Sequence, residues 1–484
     1  MSRVLPAFVT RSSPSATVAT VVPPPSTQNR SRFALLLAGA LVCTGRAHAN
    51  GAFPAVSQLL SDPADPAHLV LRSNFGLLTT RDRGSTWDLV CEAGVGYQNV
   101  EPPIALLDDG TTIAALPNGI AHGSTDECSF GVAPEVASYV ADVSRVPGAE
   151  HTAVAISTDF DSNVSQIWRT TDGGSTWSAW GVPITDLNAA TLDVASPDSA
   201  LLYVSGIALE GGVSGAFLRS GDGGQTWQRF DVPGASKVSA PYIAGLAKGE
   251  PDTVYVRLSG TPGHLLVTHD GGQHFSNVLD FEGPFDGFAL SPDGRTALAS
   301  GRSDGVWRAP TDTLAFERLS CAQVRCLSWS DAGLFACADE GQAGFLVGES
   351  TDSGSSFTSR LHLPCVRGPL ACPAQSSVGT ACSAAWPAIS EQLGTDCASA
   401  DSFVPSTDCD ASSAAAAGEG ASGGASGAPV DNAGGSPSAG HAESRPSNGS
   451  SCSLGEGAGR GVGRSGLAIV ALAACWARRR RARG

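Results

Sequence analysis

Lysine is almost missing from this chain: Lys237 and Lys248 are the only two among 484 residues. Charged residues make up 16% and aromatic residues 6%, and Met1 is the sole methionine. Arginine is concentrated at the two ends. Residues 1–49 hold five arginines and no acid, and the stretch after Cys452 holds seven against Glu456 alone. The body between them carries 18 basic and 45 acidic side chains, a formal charge of about −27. Such a body repels phosphate backbones, so nucleic acid is not an expected partner, and the scarcity of lysine argues against a basic membrane-binding face. No apolar run approaches the roughly 20 residues of a membrane-spanning helix. No CxxC pair with a neighbouring histidine and no EF-hand spacing occurs, so neither a metal nor a cofactor is expected. Long helical periodicity is absent between residues 50 and 360.

What is present begins with an export signal. Arg30 and Arg32 precede the apolar run from Phe33 to Val42, and Ala47-His48-Ala49 supplies a small-x-small cleavage site. Residues 1–49 read as a signal peptide processed at Ala49, and the long Pro/Ser/Thr-rich lead implies a start codon downstream of Met1. Export accounts for the cysteines. Ten of the 13 lie between signal and tail: Cys91, Cys128, Cys321, Cys326, Cys337, Cys365, Cys372, Cys382, Cys397 and Cys409. An even number in an exported chain predicts disulfides, with the pairing left open.

The architecture is written in a repeat. Thr80-Arg81-Asp82-Arg83-Gly84-Ser85-Thr86-Trp87 recurs around Asp172, Gly174 and Trp177, and again around Asp222, Gly224 and Trp227. Looser copies centre on Asp270, Gly272 and Phe275, and on Asp352, Gly354 and Phe357. Decayed ones surround Asp126 and Asp312. The seven aspartates are separated by 44, 46, 50, 48, 42 and 40 residues, so seven units fill the span from Gly51 to Pro364. Each unit reads as four short strands rich in β-branched and aromatic residues, punctuated by Gly, Pro and Asp. The prediction is an all-β chain: a seven-bladed β-propeller of four-stranded antiparallel blades over residues 50–364, with disordered termini.

The repeated motif has a mechanical reading. An Asp at the start of a tight turn accepts hydrogen bonds from N–H groups beyond it, and a Gly two positions on takes φ > 0 at no steric cost. The Thr and the aromatic residue then begin the fourth strand, and the ring is buried between sheets. The motif resembles the Asp box of sialidases and other BNR-repeat propellers, across about 310 residues. In that family the box is structural and lies away from the central pocket, which implies structural roles for Asp82, Asp172, Asp222, Asp270 and Asp352.

Residues 365–409 form a Cys-rich collar, within which Ser383–Leu393 predicts a short helix with Trp386, Ile389 and Leu393 on one side. Each blade reads as strands one to four in order, so no strand crosses to close the ring. Bridges near the seam are expected to close it instead. Residues 410–451, nearly all Ala, Gly, Ser, Pro and acids, read as a disordered linker. Residues 452–484 then place a Cys motif at Cys452, an apolar segment from Gly466 to Ala477 and the cluster Arg478–Arg481. This order is similar to the MYXO-CTERM sorting tag of myxobacterial surface proteins. The resemblance implies export and sorting machinery as partners, processing near Cys452, membrane association through the tail, and a destination at the cell surface or outer membrane. A single-pass anchor is the other reading.

Sialidase chemistry uses an arginine triad, a Tyr–Glu pair and an Asp acid/base. The Arg-Ile-Pro motif that precedes the first box in that family is absent, and none of the five tyrosines sits in a recognisable nucleophile setting. Asp142, Asp193 and Asp286 fall on presumed inner strands and are the candidate channel carboxylates for a glycosidase. Trp168 and Trp180 offer a sugar-stacking surface, and blade packing explains them equally well. The expected function is therefore non-enzymatic binding of an extracellular glycan or protein by a monomer, with a glycoside hydrolase, sialidase-like or otherwise exo-acting, as the alternative.

Overall fold

A computed structural model describes residues 55–397 except 99, 210–213 and 395. The expected signal peptide with Ala49, Cys409, the linker and the tag with Cys452 lie outside the described residues. Seven antiparallel sheets of four strands follow one another along the chain, each with its strands in sequential order. Blade 1 covers Val56 to Cys91, blade 2 Ile104 to Val132, blade 3 Tyr139 to Thr185 and blade 4 Leu187 to Asp231. Blades 5, 6 and 7 cover Pro241 to Phe281, Gly287 to Ser320 and Val324 to Leu361. The chain is a seven-bladed β-propeller.

Burial explains the composition of each strand. The middle strands of a blade are covered on both faces by neighbouring blades, so Ala153–Ile156 and Val254–Val256 are continuous buried apolar runs. The outermost strands face solvent, and Gln228–Asp231 contains no buried residue. First strands line the axis, where side chains reach across to the next blade's backbone. The amide of Gln58 donates to Ile104 O at 2.9 Å and accepts from Ile104 N at 3.1 Å, joining blades 1 and 2. Thr191 Oγ1 accepts from Ile243 N at 2.9 Å between blades 4 and 5.

Five turns between third and fourth strands share one bonding scheme. In blade 3, Asp172 Oδ1 accepts from Thr176 N at 3.0 Å and Oδ2 from the Thr176 hydroxyl at 2.6 Å, while the Thr170 hydroxyl donates to Oδ1 at 2.7 Å. Gly174, at φ +89°, donates its N–H to Thr170 Oγ1 at 3.0 Å. The same carboxylate contacts recur at Asp82, Asp222, Asp270 and Asp352, with His274 taking the place of the second Thr in blade 5. The hydroxyl and N–H of Thr226, with Ser220, push the pKa of Asp222 down to about 2. Trp87 and Trp177 are buried, and Trp227, Phe275 and Phe357 are half-buried. The fourth strands begin one residue after these rings, at Asp88, Ser178, Gln228, Ser276 and Thr358, rather than at the Thr, because the N–H of the residue before each ring is still donated to the turn aspartate.

Blade 2 solves its turn differently. Glu127, one residue after Asp126, has φ +58°, much as Arg83 and Ser353 have +57° at the same position, Cys128 replaces the following glycine, and Glu127 is fully buried. Its carboxylate accepts from the Thr79 hydroxyl at 2.7 Å and lies 3.5 Å from His68 Nε2, and His68 Nδ1 is 3.1 Å from Asp62. Burial alone lowers the pKa of His68, but Glu127 and Asp62 outweigh it and hold the imidazole above its ordinary range. The two blades are thus clamped by a buried charged cluster.

Among the described residues no strand is exchanged between blades 1 and 7, and the chain beyond blade 7 fastens the seam. Ser61 Oγ meets Ser330 Oγ at 2.7 Å across the seam, and Arg83 reaches Glu349 at 3.0 Å. Residues 367–370 then run parallel along the outer strand of blade 1: Leu89 N donates to Gly368 O at 2.7 Å and Leu370 N to Leu89 O at 2.9 Å. A helix, Ser377–Leu393, follows, six residues longer at its start than the sequence implies because Ser376 caps it through Gly379 N. Val378, Gly379, Cys382 and Leu393 are its buried residues, and Trp386 and Ile389 pack against the same core. Gly94 admits this helix: a Cβ there would lie 2.9 Å from Cys382 Sγ.

Disulfides fasten the collar to the first two blades. Cys91 pairs with Cys382 and Cys128 with Cys372, spanning 291 and 244 residues. Cys365 pairs with Cys397 and Cys326 with Cys337, and Cys321 is also disulfide-bonded. With either long bridge intact, the other closes an effective loop of only about 47 residues, so each partly substitutes for its partner. Replacing both pairs by serine (C91S/C382S with C128S/C372S) is therefore expected to cost about 1–2 kcal/mol more than the sum of the separate losses, measured by urea unfolding. Strict additivity would show that the two bridges do not share the closure.

Candidate functional site

Antiparallel order puts the connections between second and third strands, and those between blades, on one face of the ring. The Asp turns and the first-to-second-strand loops lie on the other. On the first face a cavity of about 880 Å³ opens along the axis, lined by inner strands of blades 1 to 5. A second depression of about 710 Å³, bordered by Pro66, Pro147, Pro292 and Trp329, opens on the Asp-turn face. Ser61 and Arg145 line both.

Asp142 and Asp193 belong to the inner strands Tyr139–Arg145 and Leu187–Val194, and the fold brings them together on the cavity wall. Each reaches toward the other's strand. Asp142 Oδ2 accepts from Leu192 N at 2.9 Å, its Oδ1 accepts from Val143 N at 2.9 Å, and the Ser144 hydroxyl donates to Asp193 Oδ1 at 3.2 Å. Burial, reinforced by the charge of Asp193, pushes Asp142 up to about 7. Burial pushes Asp193 up to about 6. Asp286 does not join them. It precedes the inner strand Gly287–Leu290 and is held by Arg302, whose Nε and Nη2 donate at 3.0 and 2.6 Å. The sequence places it on that strand; its carboxylate is instead committed to the blade's own hairpin.

The rest of the lining was not legible as a site. Arg72 donates to Ser57 Oγ from Nε at 3.1 Å and Nη2 at 2.9 Å, and Ser57 in turn donates to Glu101. Arg257 stacks 4.7 Å above the ring of Tyr242. Tyr139 and Phe160 meet with ring centroids 5.2 Å apart, and Phe160 is 38% exposed at the mouth. Alternation along Leu69–Ser73 and Val254–Leu258, where one arginine interrupts an apolar strand, is the one signal that marks Arg72 and Arg257. Trp168 and Trp180 lie elsewhere. Trp168 packs against the blade 2–3 core and donates to Ser157 Oγ at 2.9 Å, while Trp180 sits under Arg169, 4.9 Å away, where a Cβ at Gly223 would approach its indole to 3.1 Å. Blade packing accounts for both. Among the described residues no group of three or more His, Cys, Asp or Glu side chains is placed to hold a metal ion.

No protein-family model matches the chain, and no curated protein matches it in sequence. Solved structures similar to it include an ancestral GH74 enzyme, at 14% identity and a TM-score of 0.49, covering 62% of this chain and 45% of that one. The GH74 xyloglucanase from Xanthomonas campestris matches at 14% identity and TM-score 0.42, over 58% of this chain and 52% of that one. YCF48 bound to D1 peptide matches at 15% and 0.41, over 58% and 88%. This chain spans about half the length of the two GH74 structures.

The axial carboxyls carry a signed consequence for stability. Their pKa values rise from 3.8 to about 7 and about 6 on folding, so the folded state keeps protons that the unfolded chain has lost. Their contribution is complete below pH 3.8 and is lost as pH rises toward about 7. Asp142→Asn, whose amide nitrogen cannot accept one of the two backbone N–H bonds, is expected to lower the urea midpoint at about pH 4 and to cost on the order of 1–2 kcal/mol less at about pH 8. An equal effect at both pH values would contradict the assignment.

Proposed function

We propose that the protein is an exported cell-surface propeller that binds an extracellular glycan or protein in the axial cavity without chemical turnover. The observation that carries this reading is the commitment of the two channel carboxylates. Both oxygens of Asp142 accept backbone N–H bonds, one of them from the next blade, so the group acts as a rung of the ring. Phe160 at the mouth supplies an exposed aromatic face, a feature common to recognition surfaces. The bonding scheme shared by five turns supports the Asp-box reading, and the disulfides favour an oxidising compartment. The leader over 1–49, the stalk over 410–451 and the sorting tag from Cys452 complete this reading as an exported protein held at the cell surface or outer membrane.

One observation favours a second reading. Two carboxyls that face one another with pKa values near neutrality resemble an acid/base pair, which keeps glycoside hydrolysis as the alternative. A glycan array and a panel of fluorogenic glycosides separate the two. The purified protein is expected to bind without releasing fluorophore, and Phe160→Ala to weaken binding about tenfold with an unchanged melting temperature. Turnover that disappears in Asp142→Asn would overturn the binding reading.

A further inference from the structure

The axial cavity gathers cations within a body whose formal charge is about −27. Arginines elsewhere around the axis are matched: Arg145 pairs with Asp108 at 2.8 Å and Arg302 with Asp286 at 2.6 Å. Arg72 and Arg257 are not. Both are half-buried on the second strands of blades 1 and 5, both line the cavity, and among the described residues neither forms an ion pair with a carboxylate. Arg72 spends Nε and Nη2 on the single oxygen of Ser57, and Arg257 has the ring of Tyr242 and one long bond, 3.4 Å, to Phe285 O. Burial lowers the pKa of both, outweighing the opposing influence of Glu101, Tyr97 and Asp142 on Arg72 and of Tyr242 and Asp286 on Arg257. Half-buried cations normally find a counter-charge in the fold. Here the cavity itself is where one fits. Lys237, on an exposed loop, adds a third cation at the rim. On the same wall the buried side-chain oxygen of Asn188 has no hydrogen-bond partner among the described residues.

The carboxyl pair sets the sign of this cavity. Facing Asp142 and Asp193 are Arg72 from blade 1, Glu101 from the connection to blade 2, and Tyr139 and Arg145 from blade 3. Lys237, Tyr242 and Arg257 face them from blade 5 and the loop before it. While the pair is protonated, three formal cations stand against Glu101, with Arg145 already matched by Asp108. Ionisation of both carboxyls cancels the remaining positive charge. We propose that the axial cavity binds an acidic polysaccharide, holding its anionic groups with Arg72, Arg257 and Lys237 and releasing them when Asp142 and Asp193 become charged. This rests on the reading that the cavity binds a glycan, and adds to it the ligand's charge and the group that gates it.

Calorimetric titration of the full chain tests the assignment with three oligosaccharides: a hyaluronan tetrasaccharide bearing carboxylates, a κ-carrageenan tetrasaccharide bearing sulfates, and uncharged chitotetraose. At least one charged probe is expected to bind at about pH 5 and to lose about tenfold in affinity by about pH 8, as two like charges enter the site. The probe that binds more tightly identifies the anionic group. Asp142→Asn with Asp193→Asn should abolish most of that pH dependence. Arg257→Gln should weaken binding at both pH values, and Lys237→Ala, on an exposed loop, does the same without touching the core. Binding of chitotetraose alone overturns the charge assignment while leaving glycan binding in place. Binding of a charged probe that is independent of pH, or unchanged in both cation variants, overturns the proposal.

Discussion

A ring of sheets must be closed, and among the described residues no strand is exchanged between the first and last sheets to close it. Every blade takes its four strands from consecutive chain, so blades 1 and 7 meet as two complete, separate sheets. Side-chain contacts such as Ser61 with Ser330 hold the seam, and each such bond contributes only about 1 kcal/mol net. Blades 1 and 7 also share one buried apolar core, with Val56 and Phe335 among its members, and the chain after blade 7 adds backbone hydrogen bonds to the outer edge of blade 1 and covalent bonds to blades 1 and 2. The same segment covers an otherwise open strand edge. Blade 2, whose turn lacks the usual glycine, gains the buried cluster of Glu127, His68 and Asp62 and the bridge through Cys128.

Aspartate does two opposite jobs on the two faces. At the turns it is ringed by hydroxyls and N–H groups that favour its charge, and Asp222 is pushed down to about 2. At the axis burial disfavours that charge, and Asp142 is pushed up to about 7. Asp222 loses its stabilising contribution only in acid, as pH falls from 3.8 to about 2, whereas the axial pair loses its contribution as pH rises toward neutrality.

The repeat made most of this fold readable. Spacing of the seven aspartates gives the blade count directly, and Gly two positions on marks the φ > 0 turn that the chain adopts. Strand starts were less legible, since the N–H of the Thr, or of the residue in its place, is still spent on the turn aspartate and delays the fourth strand. Ser376 set the helix start through a single capping bond that no periodicity reveals. The site was legible only in part. Asp142 and Asp193 stand out because inner strands alternate and an acid there must face the axis. Arg72 and Arg257 come from second strands, and their arrival at the axis depends on how far each arginine reaches past the strand beside it. Asp286 shows the reverse: a correct neighbourhood, but a local partner in Arg302 that only the hairpin geometry supplies.

Hydrogen–deuterium exchange with the disulfides intact and then reduced addresses the closure most directly. Without the collar's covalent ties, amides of the seam strands Val56–Ser61, Asp88–Cys91 and Val324–Ser330 are predicted to lose protection first, while the middle strands of blades 4 and 5 keep theirs. Uniform loss around the ring, or a seam as protected after reduction as before, would contradict the claim that the chain beyond blade 7 closes the propeller.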